Sequence, residues 1–115
     1  MDDGTIDLAT FRSLEAAAGA EFVSELVTTF GEEAPQMLAA MRAALASRDA
    51  DVFRRNAHSL KSNSLTFGAN RLADLARSLE QSAAVTVGTG DESPLNALAA
   101  EFSRVAEGLA RLRHA

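Results

Sequence analysis

The sequence predicts an all-α fold, an antiparallel four-helix bundle with a short additional N-terminal helix, and three features predict it. Phe is the only aromatic residue, Pro occurs twice and Ala is abundant, a balance that favours helices over a sheet of β-branched and aromatic side chains. Apolar residues recur at spacings of three and four along four long stretches. The connections between these stretches are short, which sets neighbouring helices antiparallel.

The first helix follows Asp7, a residue suited to the N-cap, and carries Leu8, Phe11 and Leu14 at helical spacing before ending near Gly19. The second covers residues 20–46. Its stripe holds Phe22, Val23, Leu26, Val27, Phe30, Met37, Met41 and Leu45, and Gly31 with Pro35 predicts a bend or a break. A polar turn over residues 47–51 leads to the third helix, residues 50–67, with Gly68 as its stop because glycine takes the left-handed conformation without strain. The fourth helix runs over residues 70–84, with Asn70 as N-cap and Leu72, Leu75, Ala76, Leu79 and Ala83 on one side. Residues 87–92 read as a flexible loop, with 88–92 the most mobile internal segment. The last helix opens with Ser93 as N-cap and Pro94 at its first position, and carries Leu95, Leu98, Phe102, Val105, Leu109 and Leu112. Four long helices make the bundle, the first helix caps one end, and residues 1–115 are expected to form a single domain.

Composition narrows the function. The chain has no cysteine, so disulfides and thiolate metal sites are excluded and the cytoplasm is the expected compartment. The start, Met1-Asp2-Asp3, is acidic where a signal peptide is basic, and no long apolar run follows, so neither secretion nor membrane spanning is expected. A net charge of −5 argues against nucleic acid and anionic lipid as partners.

The third helix carries the chemistry. On a helical wheel Phe53, Ala57, Leu60, Ser64 and Phe67 fall within roughly 40° of one direction, the core face. His58 points about 140° away from it and is expected to be exposed. An exposed histidine is most often an ordinary surface residue. Here Arg54, Arg55 and Lys61 lie within one turn of it on an acidic chain, and Ser59, Ser62 and Asn63 keep the surroundings small. A neutral imidazole is a competent nucleophile near neutral pH. Lys61, three residues on, stands where it can neutralise a phosphoryl group on the ring, and small neighbours leave room for in-line approach. Nearby cations are also expected to keep the ring neutral, hence nucleophilic, by disfavouring the imidazolium. Leu65 lies beside His58 on the outer face, where a docking patch and an ordinary exposed leucine are equally good readings.

Residues 57–69, Ala-His-Ser-Leu-Lys-Ser-Asn-Ser-Leu-Thr-Phe-Gly-Ala, resemble the signature of histidine-containing phosphotransfer (HPt) domains, A-H-x-L-K-G-x-S followed by a glycine ten positions after the histidine. Leu72 and Leu79-Glu80 fall where that family has its next helix, and Glu33-Ala34-Pro35 with Phe30 resembles its upstream element. The main departure is Ser62 in place of the usual glycine, which bears on the rate of transfer. The resemblance implies a phosphorelay intermediate that carries the phosphoryl group on His58 and exchanges it with the aspartate of a response-regulator receiver domain. It implies Lys61 beside the phosphate and Gly68 as a structural stop; from their positions around His58, Ser62 is the further candidate for phosphate-side support and Arg54, Arg55 and Leu65 are the candidates for partner docking. It implies receiver domains and sensor or hybrid histidine kinases as partners, a monomer, no cofactor of its own and no enzymatic site, the Mg²⁺ being the partner's. The alternative within the same fold is an adaptor that docks without transfer.

Two rivals are weaker. A sensor kinase usually has an acidic residue directly after the histidine and needs a nucleotide-binding region, whereas Ser59 follows here and no glycine-rich segment exists. A metal site lacks a second histidine at ligand spacing on this helix, since the other, His114, stands near the C-terminal end, and acids are expected to be missing from the outer face.

Overall fold

The computed structural model describes residues 4–113, and these form six helices with no strand. They are α1 (Leu8–Ala18), α2 (Ala20–Ser47), α3 (Ala50–Thr66), α4 (Asn70–Gln81), α5 (Ala83–Thr89) and α6 (Ser93–Arg113). α2 packs on α3, α3 on α4, α4 on α6, and α6 closes the ring against α2. Arg113 Nη1 donates to Thr28 Oγ1 and Arg42 Nη1 to Asn96 Oδ1, so α2 and α6 run in opposite directions. The core is a single apolar cluster that includes Phe11, Met41, Phe53, Leu60, Leu72, Leu95, Leu98 and Leu109. Phe30 joins two sides of it, with ring centroids 5.2 Å from Phe67 and 5.6 Å from Phe102. Among the described residues no helix is long and apolar enough to cross a membrane, and His114 lies outside them.

Asp7 caps α1 as expected: its Oδ1 accepts from the Ala9 N–H at 3.2 Å and its Oδ2 from Thr10 Oγ1 at 2.8 Å. α1 is pinned to the far end of α3, because the Asp7 N–H donates to the Gly68 carbonyl at 2.8 Å. Gly68 has φ +79°, and a Cβ there would lie 2.8 Å from the Asp7 carbonyl oxygen and 2.9 Å from Thr10 Cβ. Glycine is therefore required at the end of α3 twice over, by backbone conformation and by space.

Several sequence expectations give way. α2 is one continuous helix through Pro35, not a broken one. Phe30, Ala34, Leu38 and Met41 are all buried on its inner side and hold it to the core across the missing backbone donor. Phe22 belongs to no core stripe; it is 51 % exposed near the start of α2. The turn before α3 is shorter than expected, Arg48 and Asp49, with Arg48 left-handed at φ +61°. The fourth predicted helix breaks at Ser82, whose backbone leaves the helical region while its hydroxyl pairs with Thr86 Oγ1 at 3.0 Å. The first half of the expected loop, residues 87–89, is the end of helix α5, with Val87 buried. Arg48 explains its order: Nη1 donates to the carbonyls of Val87 at 2.6 Å and Gly88 at 2.9 Å, satisfying acceptors at the C-terminal end of α5. Ala69, not Asn70, precedes α4 as its cap residue. α6 includes Ser93, whose N–H donates to Asp91 Oδ1 at 3.0 Å, so Asp91 is the side chain that supports this helix start. That bond holds the Asp91 carboxyl below its ordinary range.

α6 also buries one charge. Glu101 is fully buried, and its Oε1 accepts from Arg104 Nη2 at 2.6 Å and Nε at 2.9 Å, with Arg71 Nη1 at 3.8 Å. Its Oε2 is buried and has no hydrogen-bond partner. On the same helix Gly108 leaves room for Ile6, whose Cγ1 lies 3.3 Å from where a Cβ would stand.

Candidate functional site

The site is built on α3. Asp49 Oδ1 accepts from the Val52 N–H at 3.1 Å and starts the helix. Phe53, Ala57, Leu60 and Ser64 then face inward and are fully buried, and the Ser64 hydroxyl donates to the Leu60 carbonyl at 2.6 Å, so no polar atom is stranded there. With that face fixed, the helical period turns His58 outward, and its side chain is 57 % exposed.

The imidazole is not free to rotate. Its Nδ1 lies 2.8 Å from Oε2 of Glu80 on α4, and Lys61 Nζ donates to Oε1 of the same carboxylate at 2.9 Å. Glu80 and Lys61 are both mostly covered. Leu79, the preceding residue, is buried with Leu72, Ala73 and Ala76, which anchors α4 and sets Glu80 at the α3 edge. The Lys61 hydrogen bond, and secondarily His58, hold the Glu80 carboxyl below the usual glutamate range against the opposing effect of burial. Glu80 is thus ionised at neutral pH and can only accept. Nδ1 must carry the proton of this hydrogen bond, and in the neutral ring Nε2 then holds the lone pair. Nε2 is the nitrogen that the Glu80 contact does not engage.

The other predicted site residues are placed as follows. Ser62 is exposed one turn beyond His58, and Leu65 is 43 % exposed two turns on. Arg54 and Arg55 both bind Asp51, Arg54 through Nη2 and Arg55 through Nε at 3.1 Å. Two expectations about charge are corrected by this arrangement. The cations do not stand around the ring unopposed, because its Nδ1 meets the Glu80 carboxylate and both arginines are held by an acid of their own helix. The outer face of α3 also has an acid, Asp51, seven residues and two turns before His58. Gly68 stands at the helix end, away from the ring.

Glu80 is the site residue that sequence reasoning did not assign. A signal was present: His58 and Glu80 are equidistant in sequence from Ala69, so a hairpin of α3 and α4 folded there sets them opposite one another. Among the described residues no group of three or more His, Cys, Asp or Glu side chains is arranged to hold a metal ion.

No curated protein matches the sequence. The crystal structure of histidine-containing phosphotransfer protein B (HptB) from Pseudomonas aeruginosa PAO1 is similar in fold, with a TM-score of 0.82 and 29 % sequence identity over 98 % of this chain and 97 % of that one. The family model of the Hpt domain matches residues 25–115, a span that contains α3, α4 and the His58–Glu80 pair. With that match over most of its length, the chain belongs to the Hpt domain family, the phosphocarrier modules that act as intermediates in two-component signalling.

Proposed function

We propose that Nε2 of His58 accepts a phosphoryl group from the aspartyl phosphate of a receiver domain and returns it to another. The observation that carries this reading is the exposed imidazole held at Nδ1 by an ionised carboxylate. In the forward step the Nε2 lone pair forms the N–P bond while the P–O bond to the aspartate breaks, and the aspartate leaves as carboxylate. The ring, still protonated at Nδ1, becomes cationic as it gains the phosphoryl group, and Glu80 stands beside that positive charge. Lys61 acts on the same side, its ammonium 2.9 Å from Glu80 and on the face of α3 that carries the ring. Ser62, small and exposed, leaves the approach to Nε2 open. The Mg²⁺ and the remaining catalytic groups belong to the receiver, so the chain acts without a cofactor and without an enzymatic site, as a monomer in the cytoplasm.

The test is incubation of wild type and His58→Ala with phosphorylated receiver domains and Mg²⁺, reading label on the chain. Wild type gains acid-labile phosphate and His58→Ala gains none. Label on His58→Ala sinks the reading. Docking without label on wild type gives the adaptor instead.

A further inference from the structure

We propose that the cavity between α2 and α6 binds a small carboxylic acid whose body is a single apolar ring on a short arm. The cavity encloses ≈ 240 Å³. Phe30, Phe102 and Leu109, all buried, form its floor, and the small residues Gly31, Ala106 and Ala110 keep its walls low. An apolar cavity of about 150 Å³ already takes a benzene ring, so this one has room for a ring and a short arm. The Phe30 and Phe102 rings meet edge to face at 5.6 Å, a floor against which a third ring can stack or tilt. No residue of α3 or α4 lines the cavity, which separates it from the His58 site.

Gly31 points to an occupant. It sits inside a helix of 28 residues without a positive φ, where glycine is among the poorest helix formers. Nothing within the fold requires it, because a Cβ at this position would meet no atom within 4 Å. Gly108 is the contrast: the space left by its missing side chain is taken by Ile6. The space over Gly31 is open and forms part of the cavity.

Charge identifies the head of the ligand. Arg113 lines the cavity at the end of α6, and its Nη1 donates to Thr28 Oγ1 at 2.6 Å. Thr28 is itself fixed, since its hydroxyl donates to the Ser24 carbonyl at 3.2 Å. The Arg113 guanidinium makes no ion pair among the described residues, and no acid lines the cavity. The C-terminal end of a helix carries roughly half a negative charge, which the full charge of Arg113 exceeds. A guanidinium presents a planar fork that matches a carboxylate, and the Thr28 bond occupies only one of its nitrogens. An apolar floor with a cation at one end therefore favours an acid over an amine or a neutral molecule of the same shape.

The probe is 3-phenylpropionate, titrated into the ¹⁵N-labelled chain and followed by amide shifts, with 3-phenylpropanamide as its neutral match. The variants are Gly31→Leu, Gly31→Ala and Arg113→Gln. Wild type should saturate with a Kd on the order of 0.1–1 mM, with shifts centred on Thr28, Gly31, Ala106 and Ala110. Arg113→Gln, and the amide on wild type, should each weaken binding roughly 10-fold. Gly31→Leu fills the cavity and should abolish saturable shifts, with Gly31→Ala between it and wild type. Both put a better helix former in place of glycine, so both should melt no lower than wild type. Shifts that do not saturate by about 10 mM overturn the proposal, as does equal binding of acid and amide. Undiminished binding by Gly31→Leu overturns it too, as do shifts centred on Arg55 and Lys61, which would make the contact mere charge pairing at the other face. A concentration-dependent dimer of wild type that Gly31→Leu abolishes would make a second copy the occupant and overturn it as well.

Discussion

Nδ1 of His58 and Oε2 of Glu80 lie 2.8 Å apart, and this one bond joins the middle of α3 to the end of α4 and leaves Nε2 as the imidazole nitrogen outside it. Removing the carboxylate releases the ring proton to either nitrogen, and each ring protonated at Nε2 is lost as a nucleophile. Glu80→Ala should slow phosphorylation of His58 roughly 10- to 100-fold. Glu80→Gln, which can still accept at Nδ1 but carries no charge, should fall between the two. Initial transfer rates check the order, and ¹⁵N spectra of the imidazole check the cause. A wild-type ring protonated mainly at Nε2 would contradict it.

Lys61 and Glu80 should behave as one unit, since the ammonium sits 2.9 Å from the carboxylate. Lys61→Ala should change stability by no more than about 0.5–1 kcal/mol, because single partly exposed pairs contribute little. It should slow transfer roughly 10- to 100-fold. In a double-mutant cycle with Glu80→Ala the rate effects should be strongly non-additive. Additive effects would mean that Lys61 acts on the phosphoryl group directly.

Acid should act on the site late. The Glu80 carboxyl is held low, chiefly by Lys61, so its ionised form stabilises the folded chain. That contribution is complete above the unfolded-state glutamate pKa and is lost as pH falls through the lower folded-state value. Glu80→Gln should therefore show a shallower loss of stability on acidification than wild type. Urea midpoints followed from neutral pH into the acid range measure it, and identical acid limbs would refute it.

Two Gly→Ala substitutions should have opposite signs. Gly68→Ala meets both a positive φ and the Asp7 carbonyl oxygen at 2.8 Å, and should cost about 2–4 kcal/mol. Gly31 lies in helix α2 with open space around its Cβ position, so Gly31→Ala should stabilise by about 0.5–1 kcal/mol. Denaturant titration of both variants decides.

What could be read from the sequence was what depends on short-range spacing. The inward face of α3, the exposure of His58, the Asp7 cap and the Gly68 stop all follow from residues a few positions apart, and the structure shows each of them. The misses involve partners far apart in the chain. Arg48 orders α5 from 39 residues away, and Glu80 meets His58 from 22, so neither could be placed without the register between helices. The break at Ser82 was hidden because Leu79 and Ala83 continue one apolar stripe across it, and both are indeed buried. Phe22 misled for the complementary reason: periodicity shows which side of a helix is apolar, not how far along it the neighbouring helices reach.

The bond from the Asp7 N–H to the Gly68 carbonyl has a consequence for where this domain can be cut. The family match begins at residue 25, yet Ile6, Phe11 and Val23 upstream of it are core residues. A fragment trimmed to the matched span would lose these three side chains, uncover the far end of α3 and leave the Gly68 carbonyl without its donor. The cooperative unit is longer than the recognisable motif, and excision at the motif boundary should give an opened, aggregation-prone bundle in place of a minimal domain.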